Sequence, residues 1–215
     1  IGMLAIDHTQ PGMFTVEHER LVQSFAAQVA IAIENARLYE DQRLATLRRD
    51  LMYRISRDIN ASVDQEQICA AIDAALRQVI AFDFIAIGLQ DPDQDTHTVV
   101  YARHQNRTRG PRTYPGGTGL LGHIIMHGQE IVRNGDATTF LKAVESHNFL
   151  PDHLGTERER VRALIALPIR LGSTNLGAIT LQGMQPESTF GADDLALLEL
   201  IANQAATAFE NSRLY

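Results

Sequence analysis

The chain has 215 residues, of which 45% are hydrophobic, and it carries 19 Lys and Arg against 26 Asp and Glu for a formal net charge of -7. Because affinity for nucleic acid comes largely from clustered cations, this balance argues against a nucleic-acid partner. The single cysteine, Cys69, excludes an intrachain disulfide, a four-thiolate zinc site and a two-cysteine redox couple, and it fits a reducing compartment, so we expect a cytoplasmic protein.

The two ends of the chain repeat each other. Ile1–Pro11 matches Leu176–Pro186, and Phe14–Tyr39 matches Phe190–Tyr215 at an offset of 176 residues. A period of this length is of domain size and too long for a solenoid unit. The second pair of segments is identical at Phe14, Leu21, Ala26, Gln28, Ala30, Ala32, Glu34, Asn35 and Arg37–Tyr39.

This repeat predicts a domain organisation for a chain whose length lies between one domain and two. Residues 1–39 are expected to be the C-terminal strand and helix of a truncated first domain, and residues 50–215 a complete second domain. Residues 40–61 are expected to form a connecting coiled-coil helix. The strand Ile1–Asp7 would then lack its own sheet, so we expect it to pair with another chain's sheet edge or to be poorly ordered.

The segment Val16–Asn60 contains neither proline nor glycine, which predicts one unusually long helix. Its longest weakly polar run, Leu21–Ile33, is shorter than the ~18 apolar residues of a membrane-spanning helix, so we expect no direct membrane contact.

In the second half of this helix, apolar residues recur at near-heptad spacing opposite a charged face, which favours a parallel two-helix seam and a homodimer. Packing of these residues on their own domain is the alternative. The expected seam residues are Leu44, Leu47, Leu51, Ile55 and Ile59.

The remaining segments predict an α+β domain. Ser62, with Gln65 three residues on, is expected to cap a helix over Val63–Ile80. Apolar alternation and turn residues predict two β-hairpins, and helical spacing predicts three further helices. The hairpins are Phe84–Gln90 with His97–His104 and Val161–Leu171 with Leu176–Gln182, the second around a four-residue loop, and the helices are Gly119–His127, Ala137–His147 and Ala192–Tyr215.

The sequence resembles tandem GAF domains of bacterial signalling proteins. The resemblance rests on the ENxRLY ends at Glu34–Tyr39 and Glu210–Tyr215, and on the stretches LMYRISRDINASVDQEQI, TGLLGHIIMHGQEIVRN and LPIRLGSTNLGAITLQ. It implies a six-stranded antiparallel sheet with the terminal helices on one face and a ligand pocket on the other, under residues 106–160. It also implies a non-enzymatic sensory or regulatory role, relayed along the connecting helix to an output domain of kinase or cyclase type elsewhere in the protein.

The same resemblance narrows the ligand. Cyclic-nucleotide-binding members share an Asn-Lys…Phe-x3-Asp-Glu pattern, but here Leu176 follows Asn175 and Leu195 follows Asp194, which argues against a cyclic nucleotide. Bilin-binding members place a thiol beside the chromophore, and methionine sulfoxide reductases with this fold cycle several cysteines through a disulfide. Cys69 fits neither role, so we predict no cofactor and leave a small molecule of unknown identity as the ligand.

Residues with suitable chemistry in the pocket segments form the candidate site. His123 and His127 lie one helical turn apart and could share a metal, but the HExxH glutamate is missing and no third ligand is fixed, so we predict no metal site. A structural dimerisation module that relays signals without any ligand is the alternative function. The pocket candidates are Phe84, Arg103, His104, His123, Asp136, Phe140, His147 and Arg162.

Overall fold

The computed structural model describes residues 2–60, 64–91, 93–104, 107–135 and 161–214. It divides into two units, Ile1–Tyr53 and Arg54–Tyr215. The helices are α1 (Val16–Asn60), α2 (Gln65–Leu76), α3 (Gly119–His127) and α4 (Ala192–Leu214). The strands are β1 (Phe84–Asp91), β2 (Thr96–His104), β3 (Arg107–Arg109), β4 (Arg112–Pro115), β5 (Ile131–Asn134), β6 (Ala163–Leu171) and β7 (Thr174–Gly183).

The first unit contains a short N-terminal segment without regular secondary structure and most of α1. Residues 2–8 form no strand, and the large side chains of Met3, Leu4 and Ile6 are exposed. A strand needs a hydrogen-bonded neighbour, and none is present for this segment among the described residues. The long helix has the bounds that its sequence predicts. Thr15 caps it, because its Oγ1 accepts a hydrogen bond from the His18 amide at 3.3 Å.

The second unit is built on one antiparallel sheet with the order β3-β2-β1-β7-β6-β5, and β4 also pairs with β2. Both β3 and β4 follow β2 in the same register, with Gly110 and Pro111 interrupting the ladder between them. The seven strands therefore occupy six positions across the sheet, in agreement with the six-stranded architecture that the resemblance implies. Proline has no amide hydrogen to donate, which accounts for the interruption.

The two faces of the sheet carry different helices. On one face, α4 packs against β6 and α2, and α2 also contacts β2. On the other face α3 contacts β7, β6 and β1, and its apolar side chains cluster with Phe84, Ala86 and Leu164. Because side chains alternate along a strand, Ile85 and Ile87 point to the α2 and α4 side. Both isoleucines are fully buried there.

Several local boundaries differ from the sequence-based expectations, and the helix expected to reach Ile80 ends at Leu76. Helix α2 begins at Gln65 rather than Val63, because Asp64 is the residue that caps it, accepting from the Glu66 amide at 3.3 Å. Ser62 lies outside the described residues. The turn between β6 and β7 has two residues rather than four, since Leu171 already pairs with Thr174. Gly172 makes this turn with a φ of 60°, a conformation that favours glycine.

Candidate functional site

The short helix α3 lies against one face of the sheet through its apolar side. Leu120, Leu121, Ile124 and Ile125 are buried in a cluster with strand residues of that face. The helix ends at Gly128, whose φ of 64° is the left-handed conformation typical of a glycine after a helix. The face bearing α3 is the one on which the family resemblance places a ligand.

The C-terminal end of α3 is fixed to the hairpin of β6 and β7. Asn175 donates from Nδ2 to the Ile125 carbonyl at 2.9 Å, and Arg170 donates from Nε to Asn175 Oδ1 at 2.7 Å. Arg170 also donates from Nη2 to the Gly128 carbonyl. Carbonyls at a helix end have no partner within the helix, so these bonds satisfy groups that would otherwise need water. Asn175 corresponds to the asparagine of the cyclic-nucleotide-binding pattern, but here its side chain holds the end of α3 to the hairpin.

One line of paired residues crosses five strands on the α3 face, and we call it the cross-strand row. Phe84 pairs with His104 on one side and with Gln182 on the other. Leu164 pairs with Gln182, and Arg133 pairs with Leu164. Directly paired residues in antiparallel strands point to the same face. The row thus has an amide at its centre, an apolar residue on either side of it, and basic residues at its ends.

Gln182 is the exceptional member of this row. Its side chain is 4% exposed, and within the described part of the chain its Oε1 has no hydrogen-bond partner. A buried amide oxygen left without a partner costs about 1–3 kcal/mol, so a native protein usually satisfies it with a ligand or an ordered water. Gln182 was not among the candidates predicted from the sequence. Alternation along β7 could have indicated it, because this strand places Gln182 on the same face as Ala178 and Thr180.

The structure brings some of the pocket candidates together and separates others. Phe84 is buried and His104 is half-buried within the cross-strand row. Arg162 is exposed, and its amide donates to the Gly183 carbonyl at 2.8 Å, beside the row. Arg103 lies on the opposite face of the sheet, where its Nη1 is 2.8 Å from Asp73 Oδ2 on α2. Three further candidates, Asp136, Phe140 and His147, lie outside the described residues.

His123 and His127 lie side by side on α3, with ring centroids 4.3 Å apart. His123 is half-buried and His127 exposed. Burial lowers the pKa of His123, and the charge on His127 lowers it further. No group of three or more metal-ligating side chains occurs in the part of the chain that the structure describes.

The expected dimer seam is described only in part. The backbone of α1 is helical through all five positions, but the side chains of Leu44, Leu47, Leu51 and Ile55 lie outside the described residues. Ile59 is 0% exposed within the single chain. Ile59 therefore packs inside its own domain. For this residue, the alternative interpretation, in which the apolar stripe packs on its own domain, applies.

Cys69 on α2 is fully buried, and burial is the main reason why its pKa rises to about 12. The charges of Asp64 and Glu66 act in the same direction. Since the thiolate is the reactive form of cysteine, this thiol is held in its unreactive form at neutral pH. None of the described helices combines the length and apolar character needed to cross a bilayer.

A six-position antiparallel sheet between a helix pair and a short helix defines an α+β domain of the type that the resemblance implies. The GAF domain profile matches residues 62–210, so the chain belongs to the GAF domain family. No curated protein sequence matches it significantly. Domains of this family are sensory and regulatory parts of signalling proteins.

Solved structures agree with this assignment of the fold. The chain is similar to the GAF domain of an Acinetobacter phosphoenolpyruvate-protein phosphotransferase, with a TM-score of 0.63, 16% identity and coverage of 78% of this chain and 95% of that one. The GAF domain of a Bacillus halodurans two-component sensor histidine kinase has a TM-score of 0.55 and 20% identity, with coverage of 72% of this chain and 99% of that one. A free methionine-R-sulfoxide reductase from Neisseria meningitidis has a TM-score of 0.55 and 19% identity, with coverage of 79% of this chain and 92% of that one. At these identities the likeness concerns the fold alone.

Proposed function

We propose that this chain is a non-enzymatic sensory input domain of a cytoplasmic bacterial signalling protein, and that a small molecule binds over the cross-strand row. The observation that carries the proposal is Gln182, a buried amide between two apolar side chains of the sheet, whose oxygen has no hydrogen-bond partner among the described residues. Binding pockets are commonly apolar with a few polar groups that fix the orientation of the ligand, and Gln182 has the character of such a group.

The row also limits the chemistry of the ligand. Phe84 and Leu164 flank Gln182 on neighbouring strands, and neighbouring strands are about 4.8 Å apart, so the flanking residues are about 10 Å from each other. We therefore expect the ligand to place a hydrogen-bond donor, such as an N–H or O–H group, against Gln182 Oε1 and apolar groups beside that donor.

The chemistry of Cys69 supports a role without catalysis. A relative with this fold is a methionine-R-sulfoxide reductase, and such chemistry needs cysteines that alternate between thiolate and disulfide. Here the one thiol is buried, protonated and without a second cysteine to resolve an intermediate.

The long helix α1 is the proposed output route. We place a parallel homodimer seam at Leu44, Leu47, Leu51 and Ile55, leaving out Ile59 because its side chain is buried in its own domain. An output domain of kinase or cyclase type elsewhere in the protein would receive the change, as a histidine kinase accompanies the GAF domain in one relative.

Native mass spectrometry of freshly purified protein tests the ligand directly. We expect wild-type protein to retain a small molecule that dissociates on collisional activation and that is absent from a Gln182→Leu variant. An Asn203→Leu variant, altered at an exposed position of α4, should retain it. A wild-type protein with nothing bound, together with no response to added metabolites, would favour the ligand-free dimerisation module instead.

A further inference from the structure

The N-terminal part of α1 presents a broad apolar face to solvent. Phe25 is 58% exposed, Val29 47% and Ile33 51%, although all three belong to an uninterrupted helix. Such large exposed side chains along one helix face are unusual for a surface that remains in water. We define the docking face of α1 by seven positions, which are Val22, Phe25, Ala26, Val29, Ala30, Ala32 and Ile33.

The internal repeat identifies what a face of this type contacts. The seven positions align, at the offset of 176, with seven positions of α4 that are all buried, each at 4% exposure or less. All seven residues of the docking face are apolar, as are their counterparts, and three pairs are identical alanines. The aligned α4 residues are Leu198, Ile201, Ala202, Ala205, Ala206, Ala208 and Phe209.

In α4 these residues are covered by a strand and a helix of the same domain. Helix α4 contacts β6 of the sheet and packs alongside α2. The preceding residue Phe190, which is 3% exposed, has its counterpart in Phe14, which is 52% exposed. The repeat therefore aligns buried positions of α4 with positions of α1 that are exposed or, at Val22, Ala26 and Ala30, half-buried.

We propose that the docking face of α1 binds the sheet-and-helix layer of a second GAF domain, as α4 binds β6 and α2 in the domain described here. The width of the face favours this occupant over the helix of a second copy. At 100° per residue, the seven positions span about 160° of the helix circumference. A seam between two helices uses a narrower stripe, whereas a helix lying on a sheet and a neighbouring helix needs a wide one.

A graft within the intact chain tests the proposal. Residues 190–215 are replaced by a second copy of residues 14–39, which has the same length. We expect the grafted chain to fold, to unfold cooperatively in urea and to protect Cys69, since this buried thiol lies on α2 next to the replaced helix. The rate at which Cys69 reacts with a thiol reagent in the grafted chain should stay within about tenfold of the rate in the parent chain. In a chain ending at residue 189, Cys69 should react at least about a hundredfold faster than in the parent chain.

Two matched substitutions within the grafted copy define the face. Val29→Asp places a carboxylate at the position of Ala205, which is 0% exposed, and should remove the protection of Cys69. Ile31→Asp makes a similar change at the position of Thr207, which is exposed, and should leave the protection intact. If the two substitutions had equal effects on the protection of Cys69, the proposal would be overturned. Only a helix that packs on β6 and α2 through the docking face would be more sensitive to a charge at position 29 than at position 31.

A smaller change keeps the proposal testable if the complete graft fails to fold. Because three of the seven pairs are identical, transferring the docking face into α4 needs only four substitutions. These are Leu198→Val, Ile201→Phe, Ala205→Val and Phe209→Ile, in which two exchanges enlarge a side chain and two reduce one. We expect this variant to keep Cys69 protected and its unfolding cooperative. Loss of both properties in this variant would overturn the proposal.

Discussion

Asp73 shows how single residues fix the elements of this domain. Its carboxylate is fully buried on α2, where Oδ2 accepts from Tyr101 at 2.9 Å and from Arg103 at 2.8 Å. Its Oδ1 lies 2.8 Å from Arg77 Nε. A buried charge is tolerated when it is paired and hydrogen-bonded in this way, and here the partners join α2 to β2. The same cluster keeps Arg103 on the face of the sheet that is covered by α2 and α4.

Replacing Asp73 with alanine is expected to destabilise the domain. The change removes a partner of two arginines and of a tyrosine, but both arginine side chains keep about a third of their surface in water, with exposures of 31% and 33%. We therefore expect a loss of about 2–3 kcal/mol in the free energy of unfolding, below the cost for a fully buried pair. Urea unfolding measures it, and Asp93→Ala in the exposed turn after β1 should change stability by less than about 0.5 kcal/mol. Equal effects of the two variants would contradict this role.

His97 is a second residue with a defined consequence, because it is 3% exposed and its Nδ1 has no partner among the described residues. Burial lowers its pKa from the ordinary value of 6.5, and a hydrogen bond with the Pro115 backbone opposes this only in part. A histidine with a lowered pKa takes up its proton in the unfolded state first. Its contribution to stability is therefore complete above about pH 6.5 and is lost as the pH falls below that value.

A His97→Gln variant should reduce this acid sensitivity. Between pH 7.5 and 5.5 we expect the wild-type free energy of unfolding to fall more steeply than that of the variant, with a difference of up to about 1.4 kcal/mol per pH unit. Urea unfolding at the two pH values provides the comparison. The same slope in both proteins would show that His97 does not contribute.

At the scale of elements, Asn134 joins the end of β5 to the beginning of α4. Its side chain forms two hydrogen bonds with Phe190, donating to the carbonyl at 2.9 Å and accepting from the amide at 2.8 Å. Asn134 is the last residue of β5, and Phe190 lies two positions before the start of α4. The two hydrogen bonds therefore connect the end of β5 directly with the beginning of the C-terminal helix.

Substituting Asn134 with alanine should loosen the beginning of α4. We expect the Phe190 amide to exchange its hydrogen at least about tenfold faster, corresponding to the loss of about 1.4 kcal/mol of local stability. Hydrogen exchange at Leu195, whose amide bonds to the Gly191 carbonyl in the first turn, shows whether the change spreads into the helix. Asn175→Ala is the control, since it releases the end of α3 and should leave Phe190 protected.

For the whole molecule, the sequence predicts those features that depend on neighbouring residues. The bounds of α1 follow from the absence of proline and glycine, and β1, β2, β6 and β7 follow from local alternation, whereas the short strands β3, β4 and β5 were not predicted. The place of Gln182 at the centre of the cross-strand row depends instead on the pairing of five strands. Arg103 and His104 were expected to share a pocket, yet consecutive residues of a strand point to opposite faces, so alternation alone separates them.

The proposed dimer is also a property of the whole molecule. We expect sedimentation to show a dimer at tens of micromolar, and Leu47→Glu to weaken its association at least about a hundredfold by placing a charge in the seam. Arg49→Glu, at an exposed position two residues on, should leave association nearly unchanged. A strict monomer at this concentration would contradict the seam.

Sensing through Gln182 is the central claim, and a thermal-shift panel of metabolites run in parallel on wild type and Gln182→Leu tests it most directly. Because the glutamine oxygen has no hydrogen-bond partner in the part of the chain that the structure describes, the unliganded variant should be at least as stable as wild type. We predict that at least one metabolite at a hundredfold excess over its Kd stabilises wild type by about 2.7 kcal/mol, and that the variant loses most of this gain. No response in wild type, or equal responses in both proteins, would contradict the claim.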